Sequence, residues 1–164
     1  MIEVIVASAL MITLMAGLMS LAAVSLSTTE NQGHLAARTA EYAQDKVEQL
    51  LALAYPDTAT DTTTFPASTS GGTGLTVGGS SSPSSPMAKY VDWLDQSGNV
   101  LTSSGTTAPS GWYYERVWKI DDSSTNGLLP TNLKQITVTV TIQHAFGAAN
   151  KSTSTLTVLK TFPF

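Results

Sequence analysis

MIEVIVASALMITLMAGLMSLAAVSL, residues 1–26, holds one ionisable side chain, Glu3, and no further charge precedes Glu30. An uncharged run of this length can cross a hydrocarbon core, which needs about 20 residues. Because no proline occurs before Pro56, a helix starting at Ile2 is expected to continue to about Tyr55. Its second half is amphipathic. Ala36, Ala40, Ala43, Val47, Leu50, Leu51 and Ala54 recur at helical spacing, while Arg38, Glu41, Asp45, Lys46, Glu48 and Gln49 fill the other positions as a solvated face. The pattern therefore predicts a helix over 1–55, with 1–26 in lipid or among apolar helices and 27–55 packed on a soluble core.

Glu3 is the informative departure from a plain membrane anchor. An ionised acid within an apolar span costs on the order of 3 kcal/mol at mid-membrane and less near its end. The nearest candidate cation is an α-amino group, that of Met1 or of a neighbouring copy, because Lys and Arg are absent before Arg38. Pairing between copies would set the axial register of identical helices. Small residues four apart, Ala9, Thr13 and Gly17 on one line and Ala16 and Ser20 on another, let helix backbones approach closely. The plainer reading is a single span whose residues all face lipid. A cleavable secretory signal fits less well, since the segment has an acid, no basic start and a long apolar core.

An IEV start followed by a long apolar helix, with the acid just inside it, resembles the mature N-terminus of type IV pilins and pseudopilins over about the first 55 residues. The resemblance implies processing by a prepilin peptidase, methylation of the new N-terminus, and a pilus assembly machinery that draws subunits from the inner membrane into a surface filament. It gives Glu3 the role of the acid that meets the amine of an adjacent identical subunit. The family's acid usually stands fifth in the mature chain and here it is third, which leaves open whether Met1 is the methylated residue. The proline that many members carry within the apolar helix is absent, so Gly17 is the candidate soft point.

Residues 56–88 are dense in Ser, Thr, Gly and Pro and contain no Lys or Arg, which predicts an exposed loop with a short strand at Leu75–Val77. Ser80, Ser81, Ser82, Ser84 and Ser85 are candidate O-glycosylation positions, and Asn150-Lys151-Ser152 matches an N-glycosylation acceptor. Strand-like periodicity occupies 89–164. A hairpin turns at Ser97-Gly98-Asn99. Trp112, Tyr114, Arg116 and Trp118 then share one face, and Tyr113, Glu115, Val117 and Lys119 share the other. Ile136, Val138, Val140 and Ile142 point inward with Thr137, Thr139 and Thr141 outward, and a last strand places Leu156 and Val158 on one face after a loop at 146–148. The expected fold is α+β: a long N-terminal helix packed on a small antiparallel sheet of about four strands. The run WYYERVW, then LKQITVTVT and a Thr-rich final strand, is similar to the globular parts of minor pilins.

Composition narrows the chemistry. Among 164 residues there are 12 acidic and 8 basic side chains, net −4, so a nucleic-acid partner is not expected. With no cysteine, disulfides, thiolate metal sites and Cys nucleophiles are excluded. His34 and His144 lack metal-type partners in sequence, Asp121, Asp122 and Asn126 read as a turn, and Asp92 and Asp95 read as solvent-facing carboxylates. No catalytic residue, metal or cofactor is assigned, and an enzyme is not expected. These features favour a structural subunit of an extracellular type IV pilus-like filament. The alternatives are a minor pilin or secretion-system pseudopilin that primes or tips a fibre and, in another class, a membrane-anchored extracytoplasmic binding module.

Overall fold

The computed structural model describes residues 2–103, 105–143 and 151–162. Met1, His144, the loop expected at 146–148 and Asn150 lie outside the described residues. The chain forms two compact units, residues 1–34 and 35–164. Helix α1 (Ile2–Ala52) supplies the first unit and, through residues 35–52, one layer of the second.

α1 stops three residues short of the expected Tyr55. Lys160 Nζ donates to the Leu51 carbonyl at 2.6 Å, and Lys134 Nζ donates to those of Tyr55 and Leu75 at 3.0 and 2.8 Å. The cations that favour a helix C-terminus therefore come from distant strands, since the last turn of the helix has none of its own. Pro56 then prevents resumption of the helix.

The second unit is an α+β fold, with the helix packed on a six-stranded antiparallel sheet. The strands are β1 (Gly78–Gly79), β2 (Val91–Leu94), β3 (Val100–Leu101), β4 (Tyr114–Asp121), β5 (Leu133–Ile142) and β6 (Thr153–Thr161), in the order β3-β2-β4-β5-β6, with β1 also paired to β4. β2 and β3 are the two arms of the hairpin expected at Ser97-Gly98-Asn99, and β4, β5 and β6 are the strands expected after it. The strand expected at 75–77 is displaced: Leu75 is a fully buried turn residue, and pairing begins at Gly78, opposite Ile120. Close approach explains this shift, because a Cβ on Gly79 would collide with the Trp118 carbonyl, and its φ of 86° suits glycine.

β5 follows its alternation. Ile136, Val138, Val140 and Ile142 are buried and pack with Trp118, Ile120, Leu94 and Leu75 against Leu35, Ala43, Val47 and Leu50 of α1. Each large side chain buried here contributes about 1.5–3 kcal/mol. On the opposite face Val91, Trp93 and Val117 form a second cluster with Trp112. The β5 threonines do lie on that other face, but Thr139 and Thr141 are buried there. Their hydroxyls pair with Thr155 and Thr153 of β6, each at 3.1 Å.

The helix stripe differs from the one expected. Ala36, Ala40, Leu51 and Ala54 are exposed, while Leu35, Thr39, Tyr42, Ala43, Lys46, Val47 and Leu50 face the sheet. Two polar residues take part because each finds a partner: the Thr39 hydroxyl bonds that of Ser154 at 2.8 Å, and Lys46 meets a carboxylate. Residues 57–75 are also more ordered than their composition suggests. The Asp57 carboxylate accepts bonds from the Ala59 and Thr60 amides and the Thr60 hydroxyl, Leu75 N–H closes the loop onto Asp57 O, and Asp61 bridges to Ser68.

Candidate functional site

The first unit is the candidate assembly segment. Glu3, Ala9, Thr13, Ala16, Gly17 and Ser20 are all exposed, and nothing within the unit lies within 4 Å of a Cβ added at Gly17. The bulky residues are as open: Val6, the least exposed of the large apolar side chains here, keeps 54% of its surface, and Ile2 keeps 76%. By length and composition the helix can cross a membrane. Such a continuous apolar surface calls for lipid or other protein around it.

The hydroxyls in this segment bond to the helix itself. Ser8 donates to Val4 O at 2.8 Å, Thr13 to Leu10 O at 2.9 Å and Ser20 to Gly17 O at 2.8 Å, which lets them enter an apolar medium at little cost. Glu3 differs from them. Among the described residues it makes no hydrogen bond or ion pair, and its carboxylate, with two acceptor oxygens, lies exposed near the start of the apolar surface.

The second unit holds a buried ion network that sequence reading missed. Asp92 lies opposite Arg116 in the β2–β4 register. Arg116 grips it with two bonds, Nε to Oδ1 at 2.7 Å and Nη2 to Oδ2 at 2.9 Å, and reaches Asp45 Oδ2 through Nη1 at 2.9 Å. Lys46 Nζ donates to Asp92 Oδ2 at 2.9 Å and to the Thr62 carbonyl, and it sits 4.0 Å above the Trp118 ring. Lys46, Asp92 and Arg116 are buried, and only Asp45 reaches solvent. Both expectations for these residues are thereby corrected: Lys46 is not on a solvated face, and Asp92 is not a surface carboxylate.

Burial dominates the electrostatics here. It pushes the Lys46 ammonium down to about 8 against the pull of Asp92. It also opposes ionisation of Asp92, but Arg116 and Lys46 together outweigh it and hold that carboxyl below the ordinary range. Two cations face two anions, with every charged group bonded, so the network fastens α1, β2, β4 and the loop at Thr62 to one another. A signal was present in the sequence, since Lys46 lies four residues after Tyr42 and four before Leu50, inside the buried stripe.

The other candidates separate. Asp95 caps the β2–β3 turn by accepting the Ser97 and Asn99 amides. Asp122 caps its own turn through Ser124, while the neighbouring Asp121 is buried and pairs with Lys119 at 3.0 Å. Arg38 and Glu41 pair on the helix surface as expected, 3.3 Å apart. Ser81, Ser82, Ser84 and Ser85 are exposed and Ser80 half-buried. The Ser82 and Ser84 hydroxyls bond each other at 2.8 Å, and the Ser80 hydroxyl accepts the Ser82 amide. Comparison of the chain with protein-family models, with curated proteins and with solved structures finds no match.

Proposed function

We propose that the chain is a structural subunit of a type IV pilus-like helical filament, held in the inner membrane by residues 1–26 and polymerising through them at the cell surface. The observation that carries this reading is Glu3: the one acid of an apolar segment whose hydroxyls bond to its own backbone, and one that makes no hydrogen bond or ion pair among the described residues. A lone anchor gains nothing from that charge, whereas a second copy that brings its α-amino group offsets the cost and fixes the stagger between helices. Apolar attraction cannot supply that specificity, because lipid tails are as apolar as Leu. The faces of Ala9, Thr13 and Gly17 and of Ala16 and Ser20 give the close approach such a contact needs. Prepilin peptidase and the assembly machinery are the partners this reading implies.

The test is Glu3→Ala in cells that carry the assembly machinery. Sheared surface material is expected to lose its filaments while the membrane pool of the chain persists. Filaments of normal number and length in the variant would overturn the proposal in favour of an anchored module that works singly.

A further inference from the structure

The two edges of the sheet are finished differently. β3 is two residues long, whereas β6 runs nine residues and pairs with β5 in one unbroken register from Leu133↔Thr161 to Thr141↔Thr153, with no bulge and no proline. Ile142 N–H donates to Ser152 O and Phe162 N–H to Asn132 O. Antiparallel alternation then directs the backbone bonds of 154, 156, 158 and 160 to β5, and turns the N–H and C=O groups of Thr153, Thr155, Thr157, Leu159 and Thr161 outward. Among the described residues nothing bonds to those outward groups. Proteins usually guard such an edge with a lysine, a proline or a bulge. The lysine within β6, Lys160, is instead turned onto the helix, where it caps Leu51 O.

We propose that β6 is a pairing strand for β6 of a second copy, antiparallel about a two-fold axis at Thr157. In this register Thr157 meets Thr157 of the second copy, Thr155 meets Leu159, and Thr153 meets Thr161, so every outward residue faces another outward residue with two backbone bonds per pair. Half-buried Leu156 and Val158 meet Val158 and Leu156 of the second copy, and Lys160 meets Ser154, so no like charges oppose one another. Sliding the register by two residues either way leaves outward groups unpaired at the ends of the strand. The two-fold relates the copies by a half-turn that reverses β6, whereas neighbours along a helical filament are related by a screw. On the filament reading the contact therefore joins subunits of neighbouring filaments, while the pairing itself does not depend on that reading.

The chain has no cysteine, so Thr157→Cys in the full-length protein in detergent micelles places one thiol at the axis. Hydrogen-bonded antiparallel partners lie about 5.5 Å apart at Cα, within reach of a disulfide. Under mild oxidation the covalent dimer is expected to form about tenfold or more faster than for Ser81→Cys in the exposed loop, because a paired strand raises the effective concentration of its partner. Adding Thr155→Pro, which removes an outward N–H and no β5–β6 backbone bond, is expected to return the rate to the Ser81→Cys level while the chain still unfolds cooperatively, at a midpoint lowered by loss of the Thr139–Thr155 hydroxyl bond. Adding Glu3→Ala is expected to leave the rate unchanged. Equal rates for the two thiols, or a fast rate that survives Thr155→Pro, would overturn the proposal. Loss of the fast rate in Glu3→Ala alone would assign the contact to the apolar helix and overturn it as well.

Discussion

Lys46→Met removes a buried ammonium and leaves a side chain of similar length over Trp118, with Asp92 still gripped twice by Arg116. At neutral pH the desolvation saved and the pairing lost are expected to cancel to within about 1–2 kcal/mol. The diagnostic result is the pH profile. The folded-state value for Lys46 is about 8, against 10.5 for the free side chain. Between these values the unfolded chain binds the proton that the folded chain has released, so stability rises with pH across the window. The full shift corresponds to about 3 kcal/mol at 1.36 kcal/mol per unit. Lys134 and Lys160 are likewise lowered by burial and contribute with the same sign, while Tyr114, raised by burial, opposes them in alkali. The difference between the wild type and Lys46→Met isolates the one lysine. Urea unfolding of the full chain in detergent, followed by tryptophan fluorescence from pH 7 to 10.5, is the assay. The wild type is expected to gain on the variant by up to about 3 kcal/mol across that range. Parallel profiles would refute the claim that burial lowers the Lys46 ammonium to about 8 in the folded chain.

Asp92→Ala leaves Lys46 and Arg116 buried without their main counter-ion and is expected to cost about 3–5 kcal/mol at pH 7, read as a lowered urea midpoint. Gly79→Ala places a methyl against the Trp118 carbonyl at a φ of 86° and is expected to lower the same midpoint by about 1–3 kcal/mol. Leu50→Ala, at a fully buried site facing the sheet, is expected to cost about 2–5 kcal/mol. Leu10→Ala, on the exposed apolar segment, is expected to leave that midpoint unchanged.

The parts of the fold that were legible in the sequence are those set by local period. The alternation of Ile136, Val138, Val140 and Ile142 identified their inner face, and the unbroken run from Ile2 identified the helix. What escaped depends on contacts between residues distant in sequence. Lys46 looks like a surface residue until Asp92 arrives from a strand 46 positions away, and Thr39 until Ser154 does so from the last strand. The helix stripe was consequently misplaced toward the alanines. β1 carries no side-chain pattern at all, because two glycines pair by backbone alone. Glu3 was legible for the opposite reason, since a single acid in an apolar run needs no tertiary structure to be noticed.

A high-resolution reconstruction of the assembled filament tests the central claim most directly, through the distance from the Glu3 carboxylate to the nearest α-amino nitrogen of another copy. Ion pairing predicts about 4 Å or less, with the small-residue faces of adjacent helices in contact. A Glu3 side chain turned to solvent, or a native chain found only as a monomer in the bilayer, would contradict it.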